Sequence, residues 1–431
     1  MQSEAVSPAS LEELGYSKNA KCRCCEAEAL TTVMDFGDVP LAGGFLKEDQ
    51  FEAEKLYPLT VAFCENCTLV QVPEEIAPEV LFKDYFYFSS AIGTLVEHCK
   101  KWAGDMYDAY LKDKENPSVF EIGCNDGVML RPFAELGVKA VGVDPATNVV
   151  NSVEQDGFTI VNDFFSEEVA DRILEEHGQF DAMTSSYSFA HIEDMASVGR
   201  GVAKLLKPDG VFAIEVYYLG TCMEEMQYDM IYHEHCNYYS LKALNHFLGI
   251  HGMEIFDVSF TPGVRSGAVR FFARHKGGRP EPISEAVKQM EQDEIVKGYE
   301  KAETYQSYMD KVEKTKTDLL AILDKAKEEG KTVIGYGASG RGTAIMSYCG
   351  INTNYLDYVV DDAPAKHGFF TPGTHVKIEA WDRVEEGDAP DYALLFAWSF
   401  SKEVMAKRAE YIENGGKFIV PLPEVKIVPE A

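Results

Sequence analysis

No run in the 431-residue chain approaches the roughly 18 consecutive apolar residues that a membrane-spanning helix needs. Met1 to Gly15 is polar and acidic and lacks the basic and apolar regions of a secretory signal, so a short flexible leader and a cytoplasmic protein are expected. Positive charge is scarce: 40 Lys and Arg against 71 Asp and Glu leave a net charge of −31. Such a surface repels phosphate backbones and anionic lipid, so neither nucleic acid nor membrane is an expected partner. An anionic substrate would need a local basic pocket. The acidic residues are dispersed, as on a solvated surface, and there is no fixed-period repeat or low-complexity segment.

What is present fits a globular protein of two or three domains with sizeable cores. Ten cysteines in a reducing compartment argue for thiols or metal rather than disulfides. Five of them fall between residues 20 and 75, among β-like pieces at 59–63 and 69–72. Cys22-Arg23-Cys24-Cys25 and Cys64-Glu65-Asn66-Cys67 form paired C-x-x-C knuckles, the spacing of a structural zinc site. Cys24 could replace a neighbour as ligand. Four thiolates leave no open coordination position, so the zinc would be structural. The other five cysteines read as packing residues.

The densest signal is Val119-Phe120-Glu121-Ile122-Gly123-Cys124-Asn125-Asp126-Gly127, an apolar run that ends in an acid and a Gly-x-x-x-Gly turn. A helix-like segment and a second apolar run ending at Asp144 follow. In an open α/β sheet such a turn lies at the carboxyl end of the first strand, where ligands bind. A carboxylate about 20 residues on can grip ribose hydroxyls. The turn lacks G-x-G-x-x-G spacing and a P-loop Gly-Lys-Ser/Thr; its E-x-G-x-x-x-G form resembles motif I of S-adenosylmethionine (SAM) methyltransferases, against the plainer reading of a tight turn in a parallel sheet. Strands are predicted at 118–122, 139–143, 158–161, 180–184, 210–216, 254–259 and 268–273. Helices are predicted at 91–111, 148–155, 166–176, 193–206 and 241–250. That order describes a doubly wound sheet with an antiparallel ending.

Residues 283–329 have helical periodicity, with an apolar stripe of Leu319, Leu320, Ile322 and Leu323. A second α/β unit begins at Lys331, with strands expected at 333–334, 356–360, 391–396 and 417–421 and a helix over Thr343 to Ser347. Its turn, Gly335-Tyr336-Gly337-Ala338-Ser339-Gly340-Arg341-Gly342, reads alone as a dinucleotide fingerprint, reinforced by Asp361 and Asp362. A helix N-terminus binds phosphate of any kind, including a sugar nucleotide's pyrophosphate, and Arg341 would add a bidentate clamp. Nucleotide-sugar binding is favoured over NAD.

Tyr228 to Ser240 is rich in titratable groups beyond the carboxyl end of the strand at 210–216. His233, His235 and Cys236 invite a metal, but His-Glu-His is not the His-Glu-x-x-His of zincins. Loop-stabilising histidines are one reading. The favoured one is a general base beside a polar relay. His191 also follows a strand's carboxyl end, and Tyr85 to Ser90 precedes the SAM-like unit.

The ordered series Cys-Arg-x-Cys, Cys-x-x-Cys, Tyr-x-Tyr-x-Ser-Ser, Glu-Ile-Gly-x-Asn-Asp-Gly, Ala-His-Ile, Tyr-His-Glu-His, Gly-Tyr-Gly-Ala, Pro-Gly-Thr-His and Gly-Gly-Lys-Phe-Ile-Val-Pro resembles the SAM-dependent sugar C-methyltransferases of deoxysugar biosynthesis, from Cys22 to Val428. The resemblance implies three parts: a zinc-binding domain (1–78), a Rossmann-like SAM methyltransferase domain (79–280), and a helical connection with a Rossmann-like α/β domain (281–431). It implies methylation, at C3, of a nucleotide-linked 4-keto-6-deoxy sugar by a monomer. By motif, His235 is the base, flanked by Tyr232 and Glu234, with His191 and Tyr87 completing the pocket. Glu121, Gly123, Asn125, Gly127 and Asp144 would hold SAM. Gly335, Gly337 and Arg341 would hold the nucleotide sugar, and Cys22, Cys25, Cys64 and Cys67 zinc. One departure is Gly-Ala-Ser-Gly-Arg-Gly where many relatives have Gly-Ala-x-x-Lys-Gly, which leaves the nucleotide open. Competing expectations are methylation of oxygen or of a non-sugar carbon acid, and a non-catalytic zinc/SAM-fold binding protein.

Overall fold

The computed structural model describes residues 15–77, 81, 88–261, 267–387 and 389–429. Near the N-terminus lie β1 (Tyr16–Lys18), β2 (Leu30–Val39), β3 (Tyr57–Cys64), β4 (Val70–Gln71) and β5 (Glu74–Ile76). The strand over 30–39 is not visible as period-2 alternation, because Asp35, Gly37 and Asp38 interrupt it. Its pairing with β3 shifts register twice, between Thr32 and Met34 and between Asp35 and Asp38.

The central unit holds β6 (Ser118–Ile122), β7 (Lys139–Val143), β8 (Phe158–Val161), β9 (Phe180–Ser186), β10 (Leu206–Tyr217), β11 (Asn237–Tyr238), β12 (Met253–Thr261) and β13 (Ala268–His275). Its seven-stranded sheet has the order β12-β13-β10-β9-β6-β7-β8. Strands β6 to β10 pair in parallel, and β12 and β13 run antiparallel. All five residues of β6 are buried, as a strand covered on both faces requires. Chain order reverses between β6 and β9, so a ligand crevice opens at their carboxyl ends.

The third unit contains β14 (Val333–Tyr336), β15 (Val359–Val360), β16 (Ile378–Glu379), β17 (Tyr392–Leu395), β18 (Lys417–Val420) and β19 (Lys426–Val428), ordered β16-β15-β14-β17-β18-β19. It too is parallel but for its last strand, and its switch point lies between β14 and β17.

Most predicted elements appear within two or three residues, with local differences. The helix expected at 148–155 is a single turn, Thr147–Val150, and the strand expected at 356–360 is only β15. The helix expected at 91–111 is α-helical over Gly93–Met106 and then widens to a π-turn at Tyr107–Leu111. Among the described residues, no helix is long and apolar enough to cross a membrane.

The three sheets are not separate beads. Strand β11 leaves the central unit and pairs with β4, giving the antiparallel order β11-β4-β3-β2. The helix Ala302–Glu328 buries Tyr305, Val312, Leu319 and Leu323 in one core shared with Phe63 of β3 and Ile334 of β14. Cys22, Cys64, Cys67 and Leu69 belong to a second core, with Phe212 and Phe247 of the central unit, and Cys25 packs against it. The knuckles therefore lie at a junction between the units.

The sulfurs of Cys22, Cys25, Cys64 and Cys67 all lie within 4.8 Å of one another, with 3.5 Å between Cys22 and Cys67 and 3.6 Å between Cys25 and Cys64. A tetrahedron with Zn–S bonds of about 2.3 Å has edges of roughly 3.8 Å, so the thiolates fit zinc. Cys24, buried nearby, is not part of the set. Gln71 of β4 donates to Cys22 Sγ at 3.2 Å, orienting a ligand from outside the coordination sphere.

Protein produced with zinc present should carry one zinc per chain by elemental analysis; under half an equivalent would count against the site. Cys64→Ser should lower the unfolding midpoint far more than the turnover of the protein that remains folded, because metal binding is coupled to folding.

Candidate functional site

A cavity of about 390 Å³ opens at the carboxyl ends of β6, β7 and β9. Glu121, Gly123, Asn125 and Asp144 line it, together with Tyr187 and His191. The turn after β6 adopts a shape that side chains resist. Gly123 has φ +70°, and a Cβ there would meet Ser188 Oγ at 2.2 Å. Asn125 also has positive φ, 50°. Its side-chain oxygen accepts the Ser89 N–H at 2.9 Å, and Asp126 accepts that of Ser90 at 3.0 Å, so the Ser-Ser pair buttresses the turn. Gly127 stands behind the cavity wall rather than on it: a Cβ there would meet the Phe158 ring at 2.7 Å.

Two carboxylates mark this cavity as a ligand site. Glu121 is 2% exposed, and its Oε2 has no hydrogen-bond partner. Burial holds its carboxyl well above the usual range, and Asp144 and Asp126 add repulsion. A cationic amino group, such as that of SAM's methionyl part, would satisfy it. Asp144 Oδ2 accepts the Asn125 N–H at 2.7 Å and Oδ1 the Ala146 N–H at 2.9 Å. Each oxygen retains a lone pair for a ribose hydroxyl.

His191 connects this cavity to the second cluster. Its ring centroid is 5.0 Å from that of His235, which lies 4.0 Å from the Tyr232 ring. His235 Nδ1 is 2.7 Å from the Met230 carbonyl. A carbonyl only accepts, so Nδ1 carries the proton and Nε2 the lone pair. The Tyr232 hydroxyl lies 2.9 Å from Nε2. Burial, with the His191 and Arg341 charges, lowers the imidazole to about 3, so it is neutral near pH 7. His191 donates from Nδ1 to the Glu234 carbonyl at 2.6 Å and is likewise lowered by burial. Glu234 is raised by burial to about 7, against a lowering hydrogen bond from Gly43. His233 turns away to the Pro58 carbonyl at 2.9 Å and takes no part in the cluster. Tyr87 lies outside the described residues.

The C-terminal turn reaches this centre. Ser339 caps the helix Gly340–Cys349, accepting the Gly342 N–H at 3.2 Å. A Cβ at Gly340 would stand 3.8 Å from Tyr232 Cζ, so the helix N-terminus faces the cluster. Gly335 and Gly337 serve close packing, since added Cβ atoms would meet Phe396 at 2.7 Å and Ala397 at 3.0 Å. Arg341 is engaged inside the protein. Its Nε and Nη2 bond Asp229 at 2.8 and 3.1 Å, and Nη1 reaches Ser399 at 3.3 Å. Asp229 is fully buried and also accepts Trp398 Nε1 at 2.7 Å. Asp361 accepts the Ala338 and Ala363 N–H groups, each at 2.8 Å, and Lys366 at 3.1 Å. Little of it is left to grip a ribose.

Sequence reasoning passed over four of these groups. The Met230 carbonyl and Trp398 carry no sequence signal. Asp229 was inside the segment singled out, without a role. Tyr217 lay one residue beyond the strand expected at 210–216, and its ring is 5.8 Å from His235.

Comparison with known proteins accords with this three-part architecture. Family models described as a putative zinc binding domain, a methyltransferase domain and a C-methyltransferase C-terminal domain match residues 22–82, 97–257 and 263–423. C-methyltransferase NovU of Streptomyces niveus is 34% identical over 409 residues, spanning 95% of this chain and 96% of that protein. A ubiquinone biosynthesis O-methyltransferase of Xanthomonas oryzae pv. oryzae (strain PXO99A) is 30% identical over 100 residues, 23% of this chain and 42% of its own length. Among solved structures, a SAM-dependent methyltransferase from Archaeoglobus fulgidus has a TM-score of 0.35 and 17% identity, covering 41% of this chain and 93% of that one. With three models matched in order and a C-methyltransferase related over 95% of its length, the chain belongs to the S-adenosylmethionine-dependent C-methyltransferase family.

Proposed function

We propose that the chain methylates the carbon next to the ketone of a nucleotide-linked 4-keto-6-deoxy sugar, at C3. One observation carries this reading: a neutral histidine of fixed tautomer, His235, lies one ring away from the cofactor cavity through His191. A sugar carbon becomes nucleophilic only when a proton α to a carbonyl is removed. Bound SAM supplies an electrophilic methyl on a sulfonium, so the protein's task is to make and hold the carbanion.

His235 takes the C3 proton on Nε2, directly or through the Tyr232 oxygen that now faces it. The C–H electrons form the C3–C4 double bond, and the carbonyl π electrons move onto oxygen. The enolate carbon then forms the C–C bond as the sulfur–methyl bond breaks. An imidazole lowered to about 3 is a weak base in isolation. A developing enolate 4 Å away offsets this by roughly 4 kcal/mol at an effective dielectric near 20. That is about three pKa units, enough to bring His235 back towards its ordinary value.

The helix N-terminus at Gly340 beside Tyr232 supports a pyrophosphate site next to the reacting sugar. The engagement of Asp361 favours a nucleotide sugar over NAD. Because Asp229 holds two nitrogens of Arg341, the phosphates fall to the backbone N–H groups and Nη1, in place of the two-pronged clamp expected from sequence.

His235→Asn should lower turnover by about 10²–10⁴-fold and abolish exchange of the α proton into heavy water, with SAM affinity retained. Near-normal turnover in that variant, with exchange lost in His191→Asn, would move the base to His191. Since His235 is neutral above about pH 3, it should give kcat/KM no acid limb between about pH 5 and 8. A limb near 7, where Glu234 titrates, should vanish in Glu234→Gln. Asp144→Ala should weaken SAM binding by about 1.5–3 kcal/mol by calorimetry; unchanged affinity would remove it from the ribose.

A further inference from the structure

Tyr217 ends β10, and the chemistry above gives it no part. Its ring centroid is 5.0 Å from that of Tyr187 and 5.8 Å from that of His235. Tyr187 is held with φ 59° although it is not glycine, at a position that lines the cofactor cavity. A left-handed conformation is strained for a residue other than glycine, and such strain persists where surrounding structure imposes it. Here the strained residue sets the ring against which Tyr217 packs.

Hydrogen bonding around Tyr217 is unevenly distributed. His235 Nδ1 is committed to the Met230 carbonyl, His191 Nδ1 to the Glu234 carbonyl, and the Tyr232 hydroxyl to His235. The Tyr217 hydroxyl bonds to no described residue. Burial pushes its ionisation well above the ordinary phenol value, so it is a proton donor at neutral pH. The Arg341 charge acts on it in the opposite sense, which sharpens it as a donor to an anion.

We propose that the Tyr217 hydroxyl donates the hydrogen bond that stabilises the enolate oxygen while His235 holds the proton, an inference that rests on the carbon-acid reading above. Negative charge appears on the ketone oxygen only as the α C–H bond breaks. A donor fixed there lowers the barrier without tightening the ground state. The proton of Tyr217 stays on its own oxygen throughout; no bond of the phenol breaks.

The test compares Tyr217→Phe, Tyr217→Leu and His235→Asn in the full-length, zinc-loaded enzyme. It uses SAM and a 4-keto-6-deoxy nucleotide sugar that the wild type turns over. Tyr217→Phe keeps the ring against Tyr187 and loses only the donor. It should lose about 10²–10³-fold in kcat and in α-proton exchange measured without SAM, with KM and SAM affinity within about twofold. A packing role predicts instead that Tyr217→Phe is normal and Tyr217→Leu defective, and that result would overturn the proposal. If Tyr217→Phe is normal while His235→Asn is inactive, the donor assignment fails and the base stands. If both are normal, the donor and the His235 base fail together; the carbon-acid reading itself fails only if the wild type shows no α-proton exchange.

Discussion

The buried pair Asp229–Arg341 bears on everything around the reaction centre. Asp229 has no exposed surface, and its partner comes from 112 residues later in the chain, in a different sheet unit. Two oxygens meet two guanidinium nitrogens, and the Trp398 indole supplies a third donor. A buried pair of this kind adds little net stability against an apolar alternative. Breaking it by removing one partner typically costs about 3–5 kcal/mol, because the survivor stays charged and buried. What it enforces is position. Met230 follows Asp229 directly, and the Met230 carbonyl sets the tautomer of His235. The third unit thus reaches the position and tautomer of His235 through one ion pair and one peptide.

The rest of the segment is fixed from the other two sides. Strand β11 hydrogen-bonds to β4, where Asn237 sits opposite Gln71, and Gln71 donates to the thiol of Cys22. The Tyr239 hydroxyl bonds the Phe189 carbonyl, and Asn237 Nδ2 bonds that of Ile192, both beside His191. The cysteine cluster, the helix Gly340–Cys349 and the sheet that carries the SAM cavity therefore converge on thirteen consecutive residues, Tyr228 to Ser240. Preorganisation here comes from redundancy: the segment has two short turns and the two-residue strand β11 of its own, and all three units hold it.

Local signals were readable and long-range commitments were not. The paired knuckles, the Gly123 turn and the Tyr-His-Glu-His run could be located because each is a short string whose chemistry follows from residue type and spacing. The zinc set also resolved the ambiguity over Cys24, since only distance could choose among three thiols in four residues. Arg341 shows the limit. Its place at a helix N-terminus made a phosphate clamp the natural expectation, and nothing in the sequence indicates that Asp229 occupies two of its nitrogens. Tyr217 was missed for a related reason: a tyrosine closing an apolar run looks like core, and only the fold brings its ring beside His235. Strand β2 was hidden by Asp35, Gly37 and Asp38, which interrupt its alternation and carry one of its two register shifts.

The pairing of β11 with β4 has a further consequence for how such a chain can be inherited or divided. The seam that sequence similarity draws after the zinc unit cuts through a hydrogen-bonded ladder. A zinc unit released alone would present the unpaired edge of Val70 and Gln71 to any strand it met. Unpaired edges of that kind are templates for association between chains. A chain divided at that seam therefore exposes an aggregation site as well as losing the loop that β11 anchors.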